Sequence, residues 1–379
     1  MGPRASASFN LDAGLGGVAQ RVCVVGPLPP PSGGMANQCE QLLRLMDAEV
    51  DVVMTLICSN AACRPAWLGR VPYVRALGRL LPYLWRLWVE AGRNDVMHIF
   101  ANSGWAWHLV AWPALTIGRF RGIGIIVNYR GGLADPFFSS APRYVLSSLA
   151  AANLRVTPSA YLHRVFAKHG LTAQTIPNII DFSRFAFGVV REVGDAPHLV
   201  VTRNLEAIYD IAMALRAFRR VRSAFPRATL TVAGSGPDLH ALQRQVADLD
   251  LTDCVTFPGR IDNADIPQLY AVADCMLNPS TVDNMPISIL EAMASGVPLV
   301  STDAGGIPDL VDSGRTGWLV PVGDDKAMAD RAIALLRDRA ARRAMCEAAR
   351  SHVDAFAWPT VRAQWLAAYR SVARTRAPT

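Results

Sequence analysis

Short runs of β-branched and aliphatic residues alternate along this chain with stretches in which apolar residues return every third or fourth position. These are the periods of strand and helix. The first run, Val22 to Val25, ends in Gly26-Pro27, and the loop Pro29-Pro30-Pro31-Ser32-Gly33-Gly34 leads into helical spacing from Met35 to Leu45. Val50 to Ile57 is again β-branched. Strand, glycine loop, helix, strand is how a nucleotide-type α/β domain opens. Further strands are predicted at Val96 to Phe100, Ile123 to Asn128, Leu154 to Thr157 and Gln174 to Pro177. The second half repeats the scheme, with strands at His198 to Thr202, Thr229 to Ala233, Cys254 to Phe257, Cys275 to Asn278 and Leu299 to Ser301. Helices fill its gaps at Asp210 to Phe225, Asp238 to Leu249 and Pro286 to Ala294. Such alternation predicts two parallel, doubly wound sheets.

The expected division follows. Residues 1–20, small or polar and without a period, read as a disordered leader; residues 21–180 form a first Rossmann-like domain and residues 198–356 a second. The turn-rich stretch Pro177 to Pro197 links them. Ala327 to Arg374 is nearly all helical, with a break expected at Trp358-Pro359, and the last helix, within 357–379, is expected to pack back on the first domain.

Composition narrows the function classes. A chain of 379 residues suits two domains, and 51% apolar with 18% charged residues is too hydrophobic for disorder. The net charge of +7 comes from scattered arginines, Lys168 and Lys326 being the two lysines, and no zinc-finger, RNP or basic-helix signature accompanies it. Nucleic acid is therefore not an expected partner. The seven cysteines lack the spacing of a zinc ribbon or a redox pair. Reduced thiols and the absence of a secretory pattern lead to an expected cytoplasmic location. Met1-Gly2 with Ser6 fits a myristoylation pattern loosely, with Pro3 against it.

No apolar run reaches the roughly 18 residues of a membrane span, since Arg119 and Arg121 break the richest stretch, Trp105 to Val127. Peripheral contact with a membrane is a separate matter. From Arg64 to Arg93 six arginines face the single acid Glu90, interleaved with Trp67, Tyr73, Tyr83, Trp85 and Trp88. That pattern suits either an interfacial surface or a helix whose aromatics are core.

Ligands of doubly wound sheets sit beyond the carboxyl ends of the strands. After Cys275 to Asn278 comes Pro279-Ser280-Thr281-Val282-Asp283-Asn284-Met285-Pro286, then the helix through Ala294. Pro286 suits the first helical position, and the free N–H groups that follow form an anion site. Asp283 precedes this helix and Glu291 lies within it, so two carboxylates can approach one ligand from different sides. A plainer reading makes Asp283 the cap of the helix. Two more glycine loops, Ala304-Gly305-Gly306-Ile307-Pro308-Asp309 and Gly234-Ser235-Gly236-Pro237, could bring backbone close to a ligand.

The ordered set of these motifs resembles the retaining glycosyltransferases of family 4, of GT-B fold, over nearly the whole chain. Carrying the resemblance are Asp283-x7-Glu291 for the family's Glu-x7-Glu, Ala292-Met293-Ala294-Ser295-Gly296-Val297-Pro298, Gly305-Gly306-Ile307-Pro308, and Gly314 to Gly317. Pro177-Asn178-Ile179-Ile180-Asp181 and Arg203 complete it. The resemblance implies a nucleoside-diphosphate-sugar donor, a glycan or lipid-linked acceptor, and neither metal nor cofactor. It also implies roles. Glu291 would bind the ribose, Asp283 the sugar hydroxyls, and the backbone of Asn284, Met285, Pro286, Ile287 and Ser288 the diphosphate together with Arg203. Gly33 and Gly34 would close over the phosphates, and Arg260 and Ile261 would flank the base.

Three positions depart from the family. Asp283 is shorter than the usual glutamate, Ile208 stands where a lysine is usual, and Arg130, in Asn128-Tyr129-Arg130-Gly131-Gly132, stands near the usual histidine. His98 and His108 read as structural. A nucleotide-sugar 2-epimerase and a non-catalytic sugar-nucleotide-binding subunit are the alternatives.

Overall fold

The computed structural model describes residues 19–30, 33–61, 72–188 and 192–373, with 72–77 as backbone. Six strands form the first sheet: β1 (Gln20–Gly26), β2 (Val52–Cys58), β3 (Val96–Ala101), β4 (Gly124–Tyr129), β5 (Leu154–Thr157) and β6 (Gln174–Thr175). Their order is β2-β1-β3-β4-β5-β6, every pair parallel. The second sheet holds β7 (His198–Val201), β8 (Thr229–Ala233), β9 (Val255–Gly259), β10 (Cys275–Asn278), β11 (Leu299–Thr302) and β12 (Trp318–Val320). Its order is β12-β11-β10-β7-β8-β9, again all parallel. Both sheets thus reverse strand order once, between β1 and β3 and between β7 and β10.

β12 has no counterpart among the predicted strands. Its three residues lie between Gly314, Gly317 and Gly323, too short a run to show a period. Of the expected leader, only Ala19 and Gln20 fall among the described residues, and Gln20 already belongs to β1.

Away from the edge strands each sheet is buried on both faces, which is why its inner strands read as apolar runs rather than alternations. Cys23, Val25, Met97, Ile99, Ile125 and Val127 pack on one face of the first sheet, Val22, Val24, Val96, Phe100 and Ile126 on the other. The second face is covered in part by the chain's last helix, Trp358–Val372, through Val361, Trp365, Leu366 and Tyr369. Each such burial is worth about 1.5–3 kcal/mol. The helix seats closely, since a Cβ on Gly124 would lie 1.9 Å from the Val372 carbonyl oxygen. Arg362 clamps its start to Glu49 at 2.5 and 2.6 Å.

The helical break expected at Trp358-Pro359 lies earlier. Helix Arg339–Val353 ends in a 3₁₀ turn at Asp354–Phe356, and Pro359 sits in the first turn of the last helix. A proline there loses no helical hydrogen bond. A second break falls at Asp338, whose carboxylate accepts from Ala341 N–H at 2.9 Å and caps a new helix.

Candidate active site between the two sheets

The strand-order reversals of both sheets open onto one cleft. From the second sheet come Arg203, after β7, and the loop from Val282 to Pro286, after β10; from the first come Gly33 and Gly34, after β1, and Asn102 and Ser103, after β3. One part of the cleft, about 680 Å³, holds Arg130, Arg203, Asp283, Asn284, Met285 and Pro286. A second part is lined by Arg203, Arg260, Ile261, Ile287, Ser288 and Glu291. Gly33, Gly34, Arg203 and Ile287 border both, so every residue to which the resemblance assigns a role lines this space.

Arg203 stands at the junction. Its guanidinium is paired with the Asp283 carboxylate and donates to Ser288 Oγ at 3.3 Å. The Tyr209 ring lies 4.1 Å beneath it. Arginine and aspartate are both about nine-tenths buried, and Arg203 Nε is buried without a partner. Ile208, at the position of the family's lysine, contributes backbone instead: its carbonyl accepts from Thr281 N–H at 2.8 Å and Thr281 Oγ at 3.0 Å, tying the two loops together.

The plainer reading of Asp283 as a helix cap does not hold. The helix Ile287–Ala294 is preceded by Pro286 and has no side-chain cap, while Asp283 spends its oxygens on Arg203 and on Asn284 N–H at 2.8 Å. An uncapped helix start presents free N–H groups and a partial positive charge. Glu291, one turn inside, is partly buried, and burial raises its carboxyl from 4.5 to about 7 although Arg184 and Arg203 oppose the shift.

The glycines of the second domain's two loops are pressed against protein, and of the four Gly234 also lines the cleft. Cβ atoms on Gly305 and Gly306 would lie 2.0 Å from the carbonyl oxygens of Asp283 and Asn284. Gly306 N–H also donates to the Asp283 carbonyl at 3.0 Å. Gly234 and Gly236 approach the carbonyls of Arg203 and Leu205 in the same way, at 1.9 and 2.2 Å. Only glycine lets these loops back the segments that carry the charged pair. Gly33 differs: a Cβ there would meet nothing within 4 Å, and one on Gly34 would meet only Ile287, at 3.6 Å across the cleft.

The first domain contributes a buried polar chain. Tyr369 of the last helix bonds His98 Nδ1 at 2.9 Å, and His98 Nε2 accepts from Asn128 at 3.1 Å. Asn128 Oδ1 lies 3.5 Å from Arg130, which donates to Asn178; Asn178 Nδ2 donates to the Met285 carbonyl at 2.8 Å. Burial pushes His98 down to about 3, so it is neutral, and Arg130 down to about 10, so it keeps its charge. His98, packed between Phe100 and Trp365, thereby orients the residue behind the cleft rather than facing it. Asn178, quoted from the sequence only as part of a motif, turns out to join the domains. Tyr209 and Asn37 also line the cleft and carry no sequence signal of their own.

Among the described residues no group of three or more His, Cys, Asp or Glu side chains is placed to hold a metal ion. Cys23, Cys39, Cys58, Cys254, Cys275 and Cys346 are free thiols. No described helix is long and apolar enough to cross a membrane.

Residues 184–352 match the family of glycosyl transferases group 1. A GDP-mannose-dependent alpha-(1-6)-phosphatidylinositol monomannoside mannosyltransferase of Mycolicibacterium smegmatis is 30% identical over 310 residues, 78% of this chain and 73% of that one. An N-acetyl-alpha-D-glucosaminyl L-malate synthase of Bacillus anthracis is 34% identical over 187 residues, so the likeness spans about half of each, 48%. Anabaena HepE, solved in complex with UDP and glucose, superposes with a TM-score of 0.72 at 17% identity, covering 92% of this chain and 99% of its own. Sucrose-phosphate synthase of Thermosynechococcus elongatus gives 0.74 at 19%, covering 93% and 98%. The fold is GT-B, and the chain belongs to the glycosyl transferases group 1, a family of glycosyltransferases.

Proposed function

We propose that this protein transfers a sugar from a nucleoside-diphosphate sugar to a glycan or lipid-linked acceptor, with retention at the anomeric carbon and without metal or other cofactor. One observation carries the reading: a carboxylate, a carboxylate–guanidinium pair and an uncapped helix start converge on one cleft between two doubly wound domains. The nucleotide occupies the part lined by Arg260, Ile261 and Glu291, with Glu291 accepting from the ribose hydroxyls. The diphosphate lies on the N–H groups of Ile287 and Ser288, under Gly33 and Gly34, where Arg203 Nε gains the acceptor it otherwise lacks. Asp283, pointing with Arg203 into the larger part, takes the sugar hydroxyls, and Arg130 bounds the acceptor side.

Departure of the diphosphate develops negative charge, and fixed donors aimed at it lower the barrier without rearranging during the step. The guanidinium and helix amides do here what a bound cation does in other sites. The GDP-mannose dependence of one relative and the complex of another with UDP and glucose support a nucleoside-diphosphate sugar as the class. Free thiols suit work in the cytoplasm.

The test is a panel of UDP- and GDP-sugars offered with simple glycosides in EDTA, following released diphosphate and the anomeric configuration of the product by NMR. Turnover in EDTA with retained configuration is expected. Turnover restored only by Mg²⁺ or Mn²⁺, or an inverted product, would overturn the mechanism; a free epimer with no acceptor requirement would replace it with epimerisation.

A further inference from the structure

The outer helices of the first domain carry two apolar stripes and bury only one. On Pro72–Arg93, Leu87 and Ala91 are fully buried, and the Tyr83 hydroxyl donates to the Val110 carbonyl at 2.8 Å. Leu81, Trp85 and Trp88, at positions i, i+4 and i+7, form a separate row that faces outward, Trp85 being 68% exposed. The helical segment after β3 repeats this. Trp107, Ala111, Ala114 and Leu115 turn inward, while Trp105, Leu109, Trp112 and Phe120 lie along the opposite side, Trp105 at 77% and Phe120 at 78% exposure. Ring contacts join the rows: Trp88 to Phe120 at 5.4 Å, and Trp112 to Tyr144 of the next helix at 5.5 Å.

Charge adjoins this face. Arg121 lies over the Trp88 ring at 4.8 Å, Arg119 follows Trp112 by seven residues and so shares its side of the helix, and Arg143 is exposed next to Tyr144; Arg79, Arg86 and Arg93 form an exposed row on the flank of their helix, roughly 130° around from Leu81, Trp85 and Trp88. Glu90 is the one acid of Pro72–Arg93. Arg64, Trp67 and Arg70, which extend this pattern in the sequence, lie outside the described residues. Exposed aromatics joined on adjoining helices mark an interaction face rather than a scatter of single surface residues.

We propose that this face docks on an anionic lipid bilayer, tryptophan, leucine and phenylalanine entering the headgroup boundary while the adjoining arginines meet lipid phosphates. A second copy of the chain fits less well. A two-fold contact sets the same patch against itself, and Arg119, Arg121 and Arg143 would face their own copies. The band also leads to the cleft. Ser103 and Leu133 line the larger part, Trp105 follows Ser103 by two residues, and Leu133 is itself 47% exposed. Docked this way, the acceptor side of the cleft lies at the bilayer surface, within reach of a lipid-linked acceptor. That last step rests on the transferase reading; the docking does not.

Sedimentation of the full chain with vesicles tests the docking with neither donor nor acceptor present. Vesicles of phosphatidylcholine alone are compared with equal parts phosphatidylcholine and phosphatidylglycerol, at low salt and at about 0.5 M NaCl. Binding to the mixed vesicles is expected, with a blue shift of tryptophan emission, and about tenfold or greater weakening in high salt or without phosphatidylglycerol. The variants Trp85→Ser/Trp105→Ser/Phe120→Ser and Arg119→Glu/Arg143→Glu should each lose about tenfold or more at unchanged melting temperature. If the aromatic variant does not fold, the charge variant decides. Failure of the wild type to sediment, equal binding to neutral vesicles, or undiminished binding by the variants would each overturn the proposal. So would a dimer in light scattering that the same variants dissolve, since the face would then join two copies.

Discussion

Gly305-Gly306 and Gly33-Gly34 look alike in sequence, each a glycine pair between a strand and a helix, yet they do opposite things. The first pair is pressed against the backbone of Asp283 and Asn284, with no room for a methyl group. The second faces open cleft. A glycine is thus required in one place because protein is near and in the other because space is kept. The contrast extends to the domains: the second holds its charged pair by close backbone bracing, while the first holds Arg130 through a chain of neutral partners, Asn128, Asn178 and His98.

The largest effect is expected from filling the brace. Gly306→Ala must drive the loop of Asn284 away from its seat and should cost roughly 3 kcal/mol or more, read as a fall in the denaturation midpoint. Full stability of that variant would show that the loop is not braced. Next comes Asp283→Ala. Removing the anion that occupies Arg203 should leave diphosphate affinity unchanged or tighter while turnover falls about 10²-fold, because the sugar loses its positioning contact. Equal losses in calorimetric binding and in steady-state turnover would sink this division. Arg203→Ala should weaken diphosphate binding by about 1.5–3 kcal/mol, the range for hydrogen bonds to charged groups. Unchanged affinity would remove Arg203 from the diphosphate site.

Glu291 tests the same half of the molecule through pH. Its folded carboxyl titrates near 7 against 4.5 for an unperturbed one, so the folded state holds the extra proton. The stability this confers is full below about pH 4.5 and is lost as pH rises through about 7, on the order of 3 kcal/mol. Glu291→Gln should therefore raise the melting temperature at pH 8 and leave it unmoved at pH 4. Ribose binding needs the ionised form, so wild-type nucleotide affinity should fall as pH drops below 7 and the glutamine variant should lose that slope. The smallest effect is reserved for the open glycine: Gly33→Ala should change stability by less than about 0.5 kcal/mol while diphosphate affinity declines. A stability loss matching that of Gly306→Ala would erase the contrast between the two pairs.

Much of this architecture is local and therefore legible in the chain. Apolar periodicity located eleven of the twelve strands among the described residues, since a buried strand and an amphipathic helix leave different spacings. The loop and helix from Asp283 to Glu291 could be read because both ends of the motif lie within a few residues. What the tertiary structure decided are relations across long separations. Asp283 pairs with Arg203, eighty residues away; Asn178 reaches Met285; Tyr369 steadies His98. No local pattern encodes such partners, because they depend on how the sheets stack. Nor can spacing tell a covered aromatic from a bare one. Tyr83 and Trp85 stand two residues apart on one helix, and only the place where the next helix lies partly covers the first and leaves the second exposed.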